Sequence, residues 1–425
     1  MEKIQNLKHT KETLYYSISR MLERASYYGF RALVILYMTG EILKMDRTEA
    51  LSIYGWFAGS MVFSQIIGGL FGDLLIGNKK AIITGGIIQA VGAFSLCIPS
   101  TTGLYLGLFL VVLGSGFFTP NILSNFGKSY LNKTKLLDSG FTIFYLAINL
   151  GSFLGISLIG YSGEKFGYNI GFVISGILML LSIVPIIISK EFNSEEFEKG
   201  ETSISKRILN ILIAFIVVGV FWGIYEISNI RIFDLQMQFS EISAWNISKS
   251  LWQTIGSIFT LPISLVAIVL WTFFYSSQFF KLMVGFIFGA ISFGILFLIP
   301  EIPTENHTIT YLISLVFLGI SEIHIAPIIH SILTKYANPK YLAILMSLAF
   351  LPTRLISLIF GLFNDKLYDN PMLGLKIGIV GMTVVGIGLI GYLIINKKNY
   401  LQHRIKLIAS ASLLTKILAD FRLHP

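Results

Sequence analysis

The chain has 425 residues, of which 54% are hydrophobic and 13% charged, and its mean hydropathy is +0.74. A soluble domain of this length cannot bury so much apolar surface, so lipid is the expected solvent for most of it. The net charge of +9 fits attraction to anionic membrane lipid, and we expect no nucleic-acid partner. Cys97 is the only cysteine, which excludes disulfides and cysteine-ligated metal sites.

Apolar segments follow one another along the whole chain, each long enough to cross a hydrocarbon layer of about 30 Å as a helix. Only helices or closed barrels satisfy their backbone groups in lipid, and segments of this length exclude a barrel. We therefore predict an all-α membrane protein with twelve spans. They are 13–40, 50–75, 80–98, 103–125, 138–161, 168–189, 207–231, 249–275, 280–300, 308–335, 341–363 and 374–396.

Lysine and arginine residues gather on one side of this predicted topology. The positive-inside rule makes that side cytoplasmic, together with both termini, in an inner (plasma) membrane. No small-residue cleavage site follows the first span, so we expect that span to stay in the mature protein. The basic residues on this side are Lys79, Lys80, Lys128, Lys133, Lys135, Lys190, Lys199, Lys206, Arg207, Lys281, Lys335, Lys340, Lys397 and Lys398.

The longest polar stretch between spans runs from Lys190 to Arg207 and divides the chain evenly. We predict an N-terminal six-helix bundle over 1–189, a cytoplasmic linker over 190–206, a C-terminal six-helix bundle over 207–398 and a basic tail over 399–425. Two-bundle transporters hold their substrate near the bilayer midplane between the bundles. The spans alone leave a channel or a membrane-embedded enzyme open.

The tail has apolar residues at helical spacing and a basic face. This pattern predicts an amphipathic helix lying at the membrane interface. A disordered or vector-derived extension is the alternative.

The first predicted span contains several ionisable residues. Each such group at the bilayer centre costs roughly 2.5–3.5 kcal/mol, so it needs a partner or a watery cavity. Arg24, Tyr27, Tyr28 and Arg31 recur at i, i+3, i+4 and i+7 and form one stripe of the helix. Guanidinium groups beside phenols suit a carboxylate, which arginine binds bidentately. We therefore predict a carboxylate-binding surface; the alternative is that Arg31 snorkels outward.

Five stretches resemble, in chain order, sequence patterns of the proton-dependent oligopeptide transporters, a branch of the major facilitator superfamily. Residues 23–31, ERASYYGFR, are similar to the end of E-x-x-E-R-F-x-Y-Y-G-x-R in that family's first helix. The resemblance implies the major facilitator fold and peptide transport by alternating access with proton symport. The other stretches are GGLFGD to GNKK at 68–80, GSGFFTPN at 114–121, GFTIFYLAINLGS at 140–152 and SEIHIAP at 321–327.

Further polar residues in or near the spans are candidates for functional roles. By resemblance, Glu226 pairs with Arg31 across an outer gate, and Glu322 receives the amino group of a peptide. Glu226 and Glu322 are each expected to be a salt-bridge partner or a proton carrier. The amide of Asn149 suits an amino or amide group, with a helix-to-helix hydrogen bond as the alternative. Asp73 is placed to cap a helix and to pair across the bundle, which is a gating role.

The chain departs from the family pattern at positions tied to proton coupling. Arg20 stands where the pattern has a glutamate, and Thr119 where it has a lysine. Arg20 is therefore expected to repel Arg24 one turn away, and the cavity loses a titratable acid and an amine. Gln253 and Gly256 compete for the position of the family's eighth-helix asparagine.

We predict a secondary active transporter of di- and tripeptides or peptide-like zwitterions, proton-coupled through an altered site. It should act as a monomer, without cofactor, bound metal or enzymatic activity. One alternative is a transporter or facilitator of another anionic metabolite or siderophore, and a second is a non-transporting sensor or scaffold. The predicted substrate-binding residues are Arg24, Tyr27, Tyr28, Arg31, Asn149 and Glu322. The predicted gating or proton-coupling residues are Arg20, Glu23, Glu226, Glu322 and Asp73.

Overall fold

A computed structural model describes residues 8–192, 203–242, 249–361 and 370–421, and every regular element within them is a helix. Helices are the expected outcome, because apolar segments in lipid must satisfy their own backbone hydrogen bonds. Residues 193–202 of the predicted linker, including Lys199, lie outside the described residues, as do the last two residues of the eleventh predicted span.

The described residues of the first half form seven α-helices, two π-helical turns and the 3-10 helix Leu131–Leu136. The turns Gly72–Ile76 and Ile156–Gly160 directly extend the second and fifth helices. The helices are α1 (Lys11–Thr39), α2 (Arg47–Phe71), α3 (Asn78–Ser95), α4 (Thr101–Lys128), α5 (Leu137–Gly155), α6 (Tyr161–Phe166) and α7 (Tyr168–Ile188).

The described residues of the second half form eight α-helices and the short 3-10 helices Glu305–His307 and Pro339–Tyr341. They are α8 (Ile204–Ile242), α9 (Lys249–Phe273), α10 (Gln278–Phe297), α11 (Thr308–Ile323), α12 (Ala326–Tyr336), α13 (Leu342–Leu348), α14 (Leu351–Gly361) and α15 (Pro371–Phe421). The predicted spans 308–335 and 341–363 are each broken into two helices. Pro327 and Pro352 are the second residues of the helices after the breaks, where a missing N–H is tolerated.

The helices coincide with the predicted spans, with one correction. The span predicted to end at Arg231 continues as α8 to Ile242. Arg231 does not terminate it because its side chain is buried, pairs with Asp234 at 2.5 Å and donates to the carbonyl oxygen of Pro300 at 2.6 Å. A buried, paired arginine is compatible with the middle of a helix.

Nine helical stretches of the described chain are long and apolar enough to cross a membrane. The chain therefore has the character of a multi-pass membrane protein, and the count of twelve spans remains a prediction. The first predicted span is helical but too charged to be among the nine. Helix α15 runs on to Phe421, so the predicted tail is helical there; its side chains lie outside the described ones, and its interfacial placement remains a prediction.

Small residues bring α1 and α5 into close contact. A Cβ atom at Gly151 would lie 2.2 Å from the carbonyl oxygen of Met21, and one at Gly155 would lie 2.1 Å from that of Ala25. Only glycine permits this approach, as at tightly packed membrane helix pairs. The contact sets the charged stripe of α1 beside the polar residues of α5.

Candidate functional site

A cavity of about 500 Å³ lies between the two halves of the chain. Its lining comes from α1, α2, α4 and α5 of the first half and from α8, α12 and α14 of the second. The predicted residues Arg24, Tyr27, Tyr28, Arg31 and Asn149 all line it. The helical spacing that predicted the stripe thus gives a surface that faces a space large enough for a small ligand.

The aromatic residues of the stripe contact its arginines directly. The guanidinium of Arg24 lies 4.6 Å from the centre of the Tyr27 ring and 5.7 Å from that of Tyr28. Arg31 donates a hydrogen bond from its Nε to the phenol of Tyr54 on α2. These cation–π and hydrogen-bonding contacts orient both guanidiniums without neutralising their charge.

Glu23 occupies the position between the first two arginines of α1. Its carboxylate accepts hydrogen bonds from Nη1 of Arg20 at 2.9 Å and from Nε of Arg24 at 2.7 Å, and its side chain is fully buried. Arg20 and Arg24 therefore share one carboxylate rather than repelling each other unscreened. Nη1 of Arg20 also donates to the hydroxyl of Thr119 on α4.

Glu322 lies in a second cavity, of about 240 Å³, at the end of α11. Tyr145 on α5 and Tyr225 on α8 lie near its carboxylate, from opposite halves of the chain. Asn149 lines this cavity and the larger one, so the two are adjacent. The structure thus brings the predicted cationic stripe and the predicted acid into one pair of neighbouring cavities.

Sequence reasoning missed part of the smaller cavity. Asn229 and Gln236 line it from α8, and Thr260 lines it from α9. Gln236 lies beyond Arg231, where the predicted span ended, so a longer span would have included it, whereas Asn229 and Thr260 lie inside predicted spans. Gly256 also lines this cavity, whereas the side chain of Gln253 lies outside the described ones.

The predicted partners Arg31 and Glu226 are both exposed. Among the described parts of the chain, these two residues do not form an ion pair with each other. Arg31 donates a hydrogen bond to Tyr54 instead. Glu226 engages another group. The outer-gate pairing stays a prediction for a conformation in which that end is closed.

Asp138, which sequence reasoning also missed, links the two halves. Its carboxylate accepts hydrogen bonds from Nζ of Lys281, from the hydroxyl of Ser331 and, at 3.1 Å, from Nε2 of Gln278. Asp138 belongs to α5, and its three partners belong to α10 and α12 of the other half; all four residues are buried. Lys281, which the sequence placed at the basic end of the span 280–300, is buried and paired there. The available signal was an aspartate immediately before the motif at 140–152.

Asp73 provides a second link at the same, basic end. Its carboxylate accepts a hydrogen bond from the backbone N–H of Ile344 at 2.9 Å, at the start of α13 in the second half. Asn78 donates to it at 3.0 Å, and Nζ of Lys128 lies 3.9 Å away. Asp73 thus caps a helix across the two halves, which agrees with the capping role expected for it.

These two links close the cavity toward the basic end of the described structure. Thr334 of α12 is buried there, against Gly127 of α4. Toward the opposite end, Arg31 and Glu226 are exposed. Within the described chain, no group of three histidine, cysteine, aspartate or glutamate residues is arranged to hold a metal ion.

Comparison with known proteins identifies similar sequences over part of the chain. Residues 79–202 match the family model described as PTR2, POT family. The peptide transporter YePEPT of Yersinia enterocolitica is 36% identical over 174 residues, which are 39% of this chain and 34% of that protein. The di-/tripeptide transporter of Lactococcus lactis is 29% identical over 234 residues, 51% of this chain and 47% of that one. The matches thus span between a third and a half of these curated relatives' length.

Solved structures resemble nearly the whole chain. A POT family transporter in complex with a thioalcohol-conjugated peptide has a TM-score of 0.62 at 19% identity, over 89% of this chain and 96% of that one. A peptide transporter POT in complex with sulfate has a TM-score of 0.57 at 22% identity, over 89% of this chain and 94% of that one. At these identities the likeness establishes the fold. The predicted all-α fold is confirmed as the fold of these POT family transporters, and the resemblance to the peptide-transporter family is confirmed over part of the chain.

Proposed function

We propose that this chain, which has the fold of the POT family transporters and resembles that family over residues 79–202, is a secondary active transporter of small peptides or peptide-like zwitterions. One observation carries the proposal: Arg24 and Arg31 face a cavity that adjoins the cavity of Glu322. Separated positive and negative groups match the two charged ends of a zwitterion.

In this proposal, each charged end of such a substrate has its own binding residues. Arg24, held by the Tyr27 and Tyr28 rings, binds the carboxylate with Arg31. Glu322, near the phenols of Tyr145 and Tyr225, accepts the amino group. Asn149 lies where the two cavities meet, and its amide can hydrogen-bond the peptide group between the two ends.

Because the links at the basic end hold the two halves together there, we assign the structure to one end state of the alternating-access cycle. We place that end in the cytoplasm, with both termini, so that the cavity opens outward across the inner membrane. Opening inward requires Asp138 to leave Lys281 and Asp73 to leave Ile344. Closure on the outer side brings Arg31 to Glu226.

In this proposal, Glu322 is the residue that couples peptide transport to proton movement. The acid and the amine of the family pattern are replaced by Arg20 and Thr119, so neither position can carry a proton. Glu23 is held by two guanidiniums. No cation of the described chain is ion-paired with Glu322, which leaves its carboxylate able to exchange a proton for a substrate amino group. The protein acts as a monomer, with protons and peptides as its partners.

Uptake into proteoliposomes tests the proposal. The purified full chain should accumulate di- and tripeptides, and an imposed pH gradient should increase the accumulation. Arg24→Ala should reduce uptake roughly a hundredfold, because the central carboxylate contact is lost. Arg47→Ala, exposed outside the cavity, is the matched control and should transport normally. Peptide uptake that survives Arg24→Ala, or no uptake by the parent protein, contradicts the proposal.

A further inference from the structure

We propose that the preferred substrates carry a second negative charge, so that peptides with a side-chain carboxylate are transported in preference to neutral ones. This inference rests on the proposed peptide transport and goes on to name the substrate class. It starts from the charges that line the larger cavity.

Four guanidiniums face this cavity: Arg20, Arg24 and Arg31 on α1, and Arg354 on α14. Its lining within the described chain includes no aspartate or glutamate. The acids beside it are Glu23, which is buried against Arg20 and Arg24, Glu322 in the adjoining cavity, and Glu226, one turn along α8 from the lining residue Trp222. Even with all three acids ionised, one of the four positive charges remains uncompensated.

A zwitterionic peptide cannot correct this imbalance, because its amino group adds as much positive charge as its carboxylate removes. A peptide with one acidic side chain brings a net negative charge into the cavity. A carboxylate beside a guanidinium gains a charge–charge attraction that an uncharged side chain lacks. A second carboxylate therefore has a large electrostatic advantage over an uncharged side chain of the same size.

The arginines without a carboxylate partner determine where the second charge binds. Arg31 uses its Nε for Tyr54, which leaves both terminal amino groups for a ligand. Arg354 is exposed and shows no side-chain hydrogen bond or ion pair with the described residues. Arg354 belongs to the half opposite Arg24 and Arg31. A peptide with two carboxylates can thus engage both halves, one carboxylate on the α1 stripe and the other on Arg354.

The position of Arg354 is fixed by aromatic packing. Phe350, one turn earlier, has its ring centre 5.8 Å from that of His330 on α12. His330 in turn packs against Phe141 of α5, also at 5.8 Å. This layer spans both halves and forms part of the cavity lining, so Arg354 stands at the edge of the space that the substrate occupies.

Competition between two peptides of matched size tests the inference. Ala-Glu and Ala-Gln differ by a carboxylate in place of an amide, and each is offered to proteoliposomes that contain the full chain. We expect Ala-Glu to compete about tenfold more tightly, which corresponds to about 1.4 kcal/mol. Arg354→Gln should bring the ratio close to one, and Arg354→Lys should restore part of it. Lys165→Gln is the charge-matched control, because Lys165 is exposed and bound to Tyr161, outside the cavity; it should keep the ratio.

The outcomes separate this inference from the function on which it rests. Uptake of both peptides with no preference for Ala-Glu overturns the inference and leaves peptide transport standing. A preference that Arg354→Gln does not reduce overturns the role of Arg354. Uptake of neither peptide overturns the proposed function itself. Quantification of each variant in the vesicle membrane normalises these rates to the folded protein.

Discussion

The guanidinium of Arg20 donates a hydrogen bond of 3.1 Å to the hydroxyl of Thr119, on another helix. These are the two positions at which the chain departs from the family pattern, and the structure places them in contact. The pattern has a carboxylate and an amine there, which can form an ion pair. An arginine beside a lysine would be repelled, whereas a threonine hydroxyl accepts its hydrogen bond. The two departures therefore compensate for each other.

This contact predicts that the two positions are coupled. Arg20→Glu and Thr119→Lys should each reduce peptide uptake about tenfold or more, because each leaves a buried charge without its partner. The double variant recreates an opposite-charge pair and should recover a large part of the loss. A double-mutant cycle in proteoliposomes measures the coupling. The control is the double variant Arg20→Gln with Thr119→Val, which carries no charge at either position. Strictly additive losses would show that the positions act independently.

The outer gate gives a second prediction, for the closed conformation that this structure does not show. Arg31→Glu and Glu226→Arg should each severely reduce transport, because each brings like charges together when the outer end closes. The combined reversal should recover at least part of the activity. Steady-state exchange of labelled peptide is the measurement. No recovery in the double variant would count against the pairing, provided that both single variants reach the membrane.

Proton coupling is tested at Glu322. Glu322→Gln keeps the size and the hydrogen-bonding capacity of the side chain but cannot release a proton. We expect exchange of peptide across the membrane to continue while accumulation against a gradient is lost. Counterflow and pH-gradient-driven uptake, measured on the same vesicles, separate the two activities. Undiminished uphill uptake in this variant would assign the coupling to another group.

The Asp138 cluster gives a prediction about conformation. Asp138→Asn removes the charge that Lys281 and two neutral donors bind, and it leaves the buried ammonium unpaired, so the basic end should open more often. Thr334, buried between the halves, is a suitable reporter once replaced by cysteine in a Cys97→Ser background. Alkylation of this cysteine should become about five times faster or more. Asp46→Asn, at the exposed start of α2, is the control. An unchanged rate would remove Asp138 from the gate.

The sequence by itself determined the features that depend on local geometry. Apolar length predicted where the helices lie, since an isolated backbone in lipid has no other way to satisfy its hydrogen bonds. The stripe of Arg24, Tyr27, Tyr28 and Arg31 followed from the period of a helix, which fixes the face of each residue before any packing occurs. These residues line the cavity in the structure.

Only the tertiary structure decided which distant residues meet. Asp138 contacts Lys281 across 143 positions of the chain, and Arg20 contacts Thr119 across 99. No periodicity links such residues, because their contact depends on how separate helices cross and how closely their small residues let them approach. For the same reason the sequence did not predict that Arg231 and Lys281 are buried and paired. Whether a charged residue in a span is exposed or paired depends on the neighbouring helix, and the sequence of the span does not identify that helix.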